Sequence, residues 1–421
     1  MESAGIIDLK FRERRDFSPY YLLRNPFPAI GIPEDVPRFT ADRELEKTMF
    51  QNVISELIDA GSSLLTVVVG DYGSGKSHLF KVFKNSINTQ LLNRDNGTLA
   101  IYIKSPGEEF KYLFHGMIDN IGRDLLRKLA SELIVGLIQD NVEFRGYLKP
   151  DYKEKWEAIL TAEDVIMKTR YKSMFNTIRR LIFTDIRDSD IVRAFLHMSH
   201  PDKSINSWKW FVGEKLDKEE QNNMEMTTNS IDSDNVYLFF CDFIKMLHNI
   251  GIINVVLLID ELEKITFISP IRRARYQDTI RQLIDEHPSQ VCFYFSIATR
   301  QWSSLTREPT ALVRRLQGNW HILEPFEKED VIELLERYLL TARIVNFSGN
   351  ISKKEYPECH PSLCPFTDEA ISLIHKISKG IVSNILLLCR ITLNALIDQS
   401  EHYRVITTKL VEEQAEKLTL R

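Results

Sequence analysis

A glycine-rich segment constrains the fold of this 421-residue chain more than any other feature of its sequence. It follows the apolar run Leu64–Val69 and precedes a helical pattern, His78–Asn85, so that a strand, a loop and a helix succeed one another. That order, with the spacing G-x-x-x-x-G-K-S/T, is typical of a loop that holds the phosphates of a nucleoside triphosphate. The residues of the segment are Gly70, Asp71, Tyr72, Gly73, Ser74, Gly75, Lys76 and Ser77.

The residue types in this phosphate loop suit a polyphosphate ligand. Its glycines tolerate positive φ and let backbone N–H groups approach the phosphates. The helix that begins near Lys76 directs its free N–H groups and positive dipole end at the same phosphates. We expect Lys76 to contact the β and γ oxygens, the Ser77 hydroxyl to ligate Mg²⁺, and the nucleotide-binding residues to run from Gly70 to His78. An ordinary glycine-rich turn is the alternative. A dinucleotide loop is excluded, because His78 stands where its last glycine would be.

Composition limits the class of protein further. A hydrophobic content of 43% suffices for one large core or for two to three domains. The longest apolar run, Ile252–Ile259 with Asn254 inside it, is too short to cross a membrane, and Met1–Lys10 lacks the pattern of a secretory signal. Five cysteines, an odd number, favour a reducing compartment, so we expect a cytoplasmic protein without membrane contact. The formal charge of −5 means that any contact with nucleic acid is local.

A zinc site has weak support in the sequence. Cys359, His360 and Cys364 are close together, but no second pair of ligands completes a set of four. Prolines at positions 357, 361 and 365 indicate a loop instead.

Strand patterns along the chain predict an α/β fold with a parallel sheet. A helix is expected from Asp42 to Asp59, with Leu45, Met49, Val53 and Leu57 on one face. The expected strands are Leu64–Val69, Leu99–Lys104, a strand from Val255 that ends in Asp260 and Glu261, Val291–Ile297 and Trp320–Leu323.

The same patterns divide the chain into four segments. Residues 1–45 contain many turn residues, including Gly31, Pro33 and Pro37, and are expected to wrap across the surface. Residues 46–104 and 251–325 form the nucleotide-binding core, which residues 105–250 interrupt as a large helical insertion. Within the insertion, polar Asp217–Asn235 is predicted to be a loose loop. Residues 326–421 are predicted to form a C-terminal helical lid.

Three residues near strand ends suit the chemistry of phosphoryl transfer to water. Asp260 fits the metal side of such a site, acting through Ser77 and water, and Glu261 fits the base that positions the attacking water. Thr299, which follows the strand Val291–Ile297, is placed to sense the γ-phosphate. The alternative is that the acidic pair and the threonine only cap helices.

Several motifs together resemble the AAA+ ATPases, nearest the clade of replication initiators and transposition regulators. They are GDYGSGKS, VVLLIDELEK, FSIATR and LVRRLQGNWHILEPF, together with the helical lid, Asn25-Pro26-Phe27 and Arg43-Glu44. A closer resemblance is to the prokaryotic ATP-binding proteins of the BREX phage-defence type. It includes the GxYGSGK loop, the LIDELE strand and a W-x-x-G-E segment at Trp208–Glu214, and it extends from about Asn25 to Lys417.

The resemblance implies a P-loop NTPase of the AAA+ fold that binds ATP and Mg²⁺ and hydrolyses ATP. It further implies a homo-oligomer in which Arg315 is the arginine finger offered to a neighbouring subunit, with Arg314 the less favoured choice. A solvated arginine at a helix end is the alternative.

The sequence departs from the family at one position of the lid. The family's lid helix often carries G-x-x-R, whose arginine touches the γ-phosphate. In this chain Ser383, three residues after Gly380, stands in place of that arginine. Arg390 lies two turns further on and is expected to be too far away. Hydrolysis is therefore expected to be slow, or the lid to serve mainly as an assembly surface.

Two basic clusters are candidate contacts for DNA or a protein partner. Arg272, Arg273 and Arg275 follow the DELE motif, a position that often faces the central channel in ring-forming relatives. The second cluster, Lys168, Lys172 and Arg179, lies along a helix of the insertion. Solvated charged faces are the alternative for both.

The leading hypothesis is an ATP-hydrolysing oligomeric switch or assembly factor in DNA metabolism or in defence against foreign DNA. The alternative is a hydrolysis-poor scaffold that binds ATP and recruits a protein effector through its helical insertion. A small-molecule kinase is disfavoured, because Glu261 beside Asp260 suits the activation of water.

Overall fold

The computed structural model describes two compact units. The lid unit comprises Met1–Glu44, Tyr72–His78 and Glu324–Arg421, and the sheet unit comprises Leu45–Asp71 and Leu79–Leu323. Gly31, Pro33, Pro37, Asp42 and Leu64 lie outside the described residues, and the division into four segments stays a prediction. The described residues are 15–29, 40–41, 43–59, 65–94, 97–159, 161–232, 235–286, 291–307, 310–344 and 354–419.

A parallel sheet forms the centre of the sheet unit, which confirms the prediction of an α/β fold. Its strand order is β2-β3-β4-β1-β5. All paired strands are parallel, and β1 to β4 are buried almost throughout, as expected for a sheet covered on both faces. The strands are β1 (Leu65–Val69), β2 (Gly97–Ile103), β3 (Ile252–Ile259), β4 (Val291–Ile297) and β5 (Trp320–Ile322).

Alternate residues of the strands enter two different cores. Val67 and Leu257 belong to the large core that includes the insertion, whereas Val68 and Tyr294 belong to a smaller core with α1 (Glu44–Asp59) and α2 (Lys76–Gln90). In the smaller core, the buried face of α1 differs from the predicted one. Val53 and Leu57 are buried as predicted, whereas Leu45 is 68% exposed and Phe50 and Ile54 are buried in addition. The reason is that the Phe50 ring stacks on the ring of Phe83, with centroids 3.6 Å apart.

The insertion is helical, as predicted, and packs against the sheet through the large core. Its helices are α3 (Phe110–Ile121), α4 (Arg123–Asp140), α5 (Val142–Arg145), α6 (Ala162–Lys168), α7 (Tyr171–Leu181), α8 (Ser189–His197), α9 (Ser204–Phe211), α10 (Lys218–Asn223) and α11 (Val236–Asn249).

The stretch Asp217–Asn235 was expected to be a loose loop, and this prediction was wrong for Lys218–Asn223, which form helix α10. Helix α10 begins with a capping box in which the side chains of Asp217 and Glu220 each accept from the other residue's backbone N–H. Further on, the buried carboxylate of Asp190 accepts hydrogen bonds from the N–H and hydroxyl groups of Thr227 and Thr228. Local polar groups, together with the buried side chains of Met224, Met226 and Ile231, therefore order a sequence that lacks hydrophobic periodicity.

In the part of the chain that the structure describes, three helices of the sheet unit follow β3. They are α12 (Pro270–Glu286), α13 (Thr299–Leu305) and α14 (Ala311–Gln317), and a 3₁₀ turn, Leu262–Phe267, precedes them. Among the described residues, no helix of either unit combines the length and apolarity needed to cross a membrane.

The lid unit has a separate hydrophobic core. The N-terminal segment contributes Tyr20, Leu22 and Phe27 to this core, and Leu22 also forms a β-bridge with Arg343. The helices of the lid are α15 (Lys328–Leu340), α16 (Asp368–Ser378), α17 (Val382–Asp398) and α18 (Thr408–Thr419).

Candidate functional site

The phosphate loop connects β1 to α2, as its sequence predicts. The N–H of Gly70 donates to the carbonyl oxygen of Ile297 at the end of β4, at 3.1 Å. Gly73 and Gly75 have φ angles of 83° and 103°, a conformation that side-chain-bearing residues rarely adopt. These two glycines therefore permit the turn that leads into α2.

The loop contains buried polar groups that suit a phosphate ligand. Ser74 is only 5% exposed, and its hydroxyl has no hydrogen-bond partner among the described residues. A buried hydroxyl in that state costs free energy that a bound ligand can recover. Lys76 is also buried, with its ammonium 5.9 Å from the centre of the Tyr72 ring. The loop therefore fits an anionic ligand such as a triphosphate.

The carboxylate of Asp260 lies just after β3 and is fixed by its neighbours. Asp260 is 2% exposed. The Tyr102 hydroxyl donates to its Oδ2 at 2.9 Å, and the Ser296 hydroxyl donates to its Oδ1. The N–H of Glu261 donates to Oδ1 as well, at 3.0 Å. A buried, oriented carboxylate suits Mg²⁺, which prefers oxygen ligands and near-ideal geometry.

Glu261 has an unusual backbone conformation. Its φ and ψ angles are 54° and 42°, in the left-handed region that non-glycine residues rarely occupy, and strain of this kind concentrates at functional sites. Glu261 occupies the N-cap position of the 3₁₀ turn, but its side chain makes no capping hydrogen bond. Instead, its carboxylate forms an ion pair with Lys264, at 2.6 Å.

Sequence reasoning missed Tyr102, Ser296 and Glu263. The strand register contains the signal for Ser296: Leu258 pairs with Tyr294, so residues two positions further along both strands are neighbours on the same face. Those residues are Asp260 and Ser296.

Glu263 connects the ends of two strands. It is buried, and its Oε2 accepts a hydrogen bond from the N–H of Ala298, just after β4, at 3.3 Å. Thr299 is the first residue of α13 rather than its N-cap, which is Ala298. Thr299 therefore does not cap this helix, and its role as a sensor of the γ-phosphate stays a prediction.

Arg315 lies on α14 and pairs with an acid of α12. Its guanidinium is 2.9 Å from the carboxylate of Asp285, and both side chains are more than 40% exposed. Such exposed pairs contribute little to stability, so the contact leaves Arg315 able to rearrange. Arg314 is exposed on the same helix. The finger role of Arg315 stays a prediction.

Acidic residues accompany both basic clusters. Arg272 lies 3.9 Å from Glu108, and an open cavity of about 330 Å³ next to this pair is lined by Arg275 and Tyr276 as well. In the insertion, Lys168 pairs with Asp164 at 2.7 Å and Lys172 with Glu225 at 3.4 Å. These partners reduce the local positive charge, and DNA contact stays a prediction.

The lid residues singled out by sequence make contacts within the lid unit. The N–H of Ser383 donates to the carbonyl oxygen of Gly73 in the phosphate loop, at 3.0 Å. The guanidinium of Arg390 donates to the carbonyl oxygen of Phe27, and the Asn25 side chain donates to the carbonyl oxygen of Arg390. Arg390 thus holds the N-terminal segment.

Comparison with known proteins gives one family match. Residues 190–399, about half of the chain, match the family model described as BREX system ATP-binding protein BrxC/D. The match includes Asp260, Glu261, Thr299, Arg315 and part of the lid, and the phosphate loop lies outside it. A search of the curated proteins gives no match.

Solved structures also resemble the chain, at low identity. The Aeropyrum pernix ORC2 protein is 10% identical, with a TM-score of 0.47 over 92% of this chain and 70% of that one. The Aeropyrum pernix ORC1 protein in complex with DNA is 10% identical, with a TM-score of 0.43 over 92% and 68%. The Drosophila ORC bound to DNA is 12% identical, with a TM-score of 0.41 over 100% and 70%. At such scores nothing is carried over from these proteins.

The parallel sheet, the phosphate loop and the family match together define an ATP-binding protein of the AAA+ class. Within that class, the chain is similar to the BrxC/D ATP-binding proteins of BREX systems. The resemblance predicted from the sequence is thereby confirmed.

The Asp260 network predicts the effect of Ser296→Ala. The variant loses the hydroxyl that orients Asp260, and loss of such an outer partner typically lowers metal affinity or activity about 10-fold. We expect the ATPase rate at limiting Mg²⁺ to fall by about that factor, and added Mg²⁺ to restore part of it. Ser303→Ala is the matched control, since the Ser303 hydroxyl donates to the carbonyl oxygen of Thr299 and, among the described residues, does not contact Asp260. Equal Mg²⁺ dependence in the parent and Ser296→Ala would contradict the assignment.

Proposed function

We propose that the protein hydrolyses ATP with Mg²⁺ and works as a nucleotide-controlled oligomeric switch in DNA metabolism or in defence against foreign DNA. The observation that carries the proposal is the carboxylate pair after β3, in which Asp260 is fixed by hydrogen bonds and Glu261 is held in a strained conformation. Buried acids are commonly hydrogen-bonded, as Asp190 is, but a strained backbone of this kind concentrates at functional sites.

Each residue of the candidate site has a defined role in this proposal. Lys76 and the N–H groups at the start of α2 would hold the phosphates, and Ser77 and Asp260 would hold the metal. Bound Mg²⁺ would neutralise charge on the phosphate oxygens. Glu261 accepts the proton of the attacking water. Glu261 first has to release Lys264, because the ion pair occupies the carboxylate oxygen that would contact the water.

A second candidate is the hydrolysis-poor scaffold that recruits an effector through its insertion. Two observations favour it: the ion pair between Glu261 and Lys264, and a serine at position 383 where the family often has an arginine. On this second candidate, both features keep turnover low and leave the binding of ATP intact. The two candidates therefore differ in turnover.

Phosphate release by the parent and by Glu261→Gln separates the two candidates. An amide can hold a water molecule but cannot take its proton, so we expect Glu261→Gln to bind ATP like the parent and to hydrolyse it at least about 100-fold more slowly. Glu132→Gln, a surface change on α4, is the matched control. If the parent retains ATP without releasing phosphate, the scaffold is the better account.

We further propose that the ATP site is completed in trans by Arg315 of a neighbouring copy. A finger of this kind is worth about 10³-fold or more in rate, because it places positive charge where the transition state develops negative charge. We expect Arg315→Ala and Glu261→Gln to be inactive alone and to recover activity when mixed, since a mixed interface pairs an intact arginine with an intact base. Arg314→Ala serves as the matched control. A rate independent of protein concentration, without recovery on mixing, would place the whole site in one chain.

DNA contact through Arg272, Arg273 and Arg275 is the remaining part of the proposal. Each phosphate contact contributes about 0.9 to the slope of the logarithm of the binding constant against the logarithm of the salt concentration. Neutralising all three residues should therefore flatten that slope by about 2 to 3 units. The smaller figure applies if Arg272 keeps its pairing with Glu108. Undetectable binding of duplex DNA at low salt, with and without ATP, would assign these arginines to protein contacts.

A further inference from the structure

The first turn of helix α17 rests directly on the phosphate loop. Besides the hydrogen bond from the Ser383 N–H to the Gly73 carbonyl oxygen, the side chain of Ser383 lies against the Cα of Gly73. A Cβ on Gly73 would be 2.0 Å from the Ser383 Oγ and 2.8 Å from its Cβ. Glycine at position 73 is therefore needed for this contact as well as for its positive φ.

Arg43 holds the next peptide of the loop. It is 7% exposed, and its guanidinium donates to the carbonyl oxygen of Ser74 at 3.2 Å and to that of Glu324 at 2.7 Å. The guanidinium also lies over the Phe326 ring, 4.6 Å from its centre. Arg43 thus connects the loop to residues that lead into the lid helices.

The contacts continue from Phe326 back to the start of α17. The N–H of Phe326 donates to the carbonyl oxygen of Gly380 at 2.9 Å. A Cβ on Gly380 would lie 2.3 Å from the Phe326 carbonyl oxygen, so the two backbones touch. Gly380 lies three residues before Ser383, which closes a circuit of contacts around Gly73 and Ser74.

Planar peptides give this circuit a consequence for phosphate binding. In a trans peptide the C=O of one residue and the N–H of the next point in opposite directions. The two carbonyl groups held by Ser383 and Arg43 therefore fix the directions of the N–H groups of Ser74 and Gly75. Those are N–H groups that a phosphate loop offers to its ligand.

We propose that Arg43 and Ser383 are positioning residues that couple the lid to the nucleotide through the peptide planes of Gly73 and Ser74. The inference rests on the proposed binding of ATP at the loop. Coupling of this kind needs no arginine from the lid at the γ-phosphate, which accounts for the short side chain at position 383. Because coupling is reciprocal, bound nucleotide also strengthens the contact of α17 with the loop.

The first test compares Arg43→Ala with Arg15→Ala. Arg15 belongs to the same unit but pairs with Asp398, so it is a matched control. Losing one charge-assisted hydrogen bond to the loop should weaken ATP and ADP equally, by about 10-fold, because Arg43 orients the loop rather than the γ-phosphate. A loss confined to ATP in calorimetry would overturn the positioning role.

The readout specific to coupling is amide hydrogen exchange in residues 381–389, measured with and without saturating nucleotide. We expect nucleotide to slow exchange there in the parent and in Arg15→Ala, and to leave it unchanged in Arg43→Ala. Arg43→Lys keeps the charge but not the paired donors, and it should behave like Arg43→Ala. A lid that responds to nucleotide in both Arg43 variants would overturn the inference.

A second test compares Gly73→Ala and Gly75→Ala, each alone and combined with Ser383→Gly, so that backbone strain is separated from loss of the contact. Gly73→Ala should abolish the response of the lid, and Ser383→Gly should restore part of it in the double variant, because it removes both atoms that the new Cβ would strike. Gly75→Ala imposes similar strain but meets no atom within 4 Å, so Ser383→Gly should not rescue it. No rescue of Gly73→Ala would refute the contact. Absence of ATP binding by the parent would instead refute the proposed function, and the inference with it.

Discussion

The hydrogen bonds that fix Asp260 depend on the register of three parallel strands. Tyr102 pairs with Leu258, and Leu258 pairs with Tyr294, so the residues at and after the ends of β2, β3 and β4 converge on one carboxylate. A shift of one residue in β3 would turn Asp260 to the other face and leave a buried carboxylate without donors. The register therefore determines both the stability of this edge and its chemistry.

Sequence patterns predicted the features that rest on local spacing. The phosphate loop, the strands and the acidic pair are each visible within about ten residues, because burial and glycine geometry impose short periods. The partners of Asp260 were missed because Tyr102 and Ser296 are distant in sequence and look like ordinary strand residues. Register alone brings them together, and a single sequence does not contain it.

Other differences between the sequence predictions and the structure have local causes that hydrophobic periodicity does not reveal. The capping box of α10 and the hydrogen bonds to Asp190 order a polar stretch without any apolar repeat. The stacking of Phe50 on Phe83 rotates the buried face of α1 away from Leu45. At Ser383 the sequence showed only the loss of an arginine, whereas the structure shows a backbone contact with Gly73 that a short residue permits.

If the loop from Gly70 to Ser77 binds the phosphates of ATP, calorimetric titration of the parent and Lys76→Ala with ATP and Mg²⁺ will give different affinities. Lys81→Ala, on the same helix beyond the loop, is the control for a lost positive charge. Removing one charge-assisted contact to phosphate should weaken ATP binding by about 100-fold, with little change for Lys81→Ala. Equal ATP affinity in the parent and Lys76→Ala would mean that the loop does not hold the phosphates of ATP.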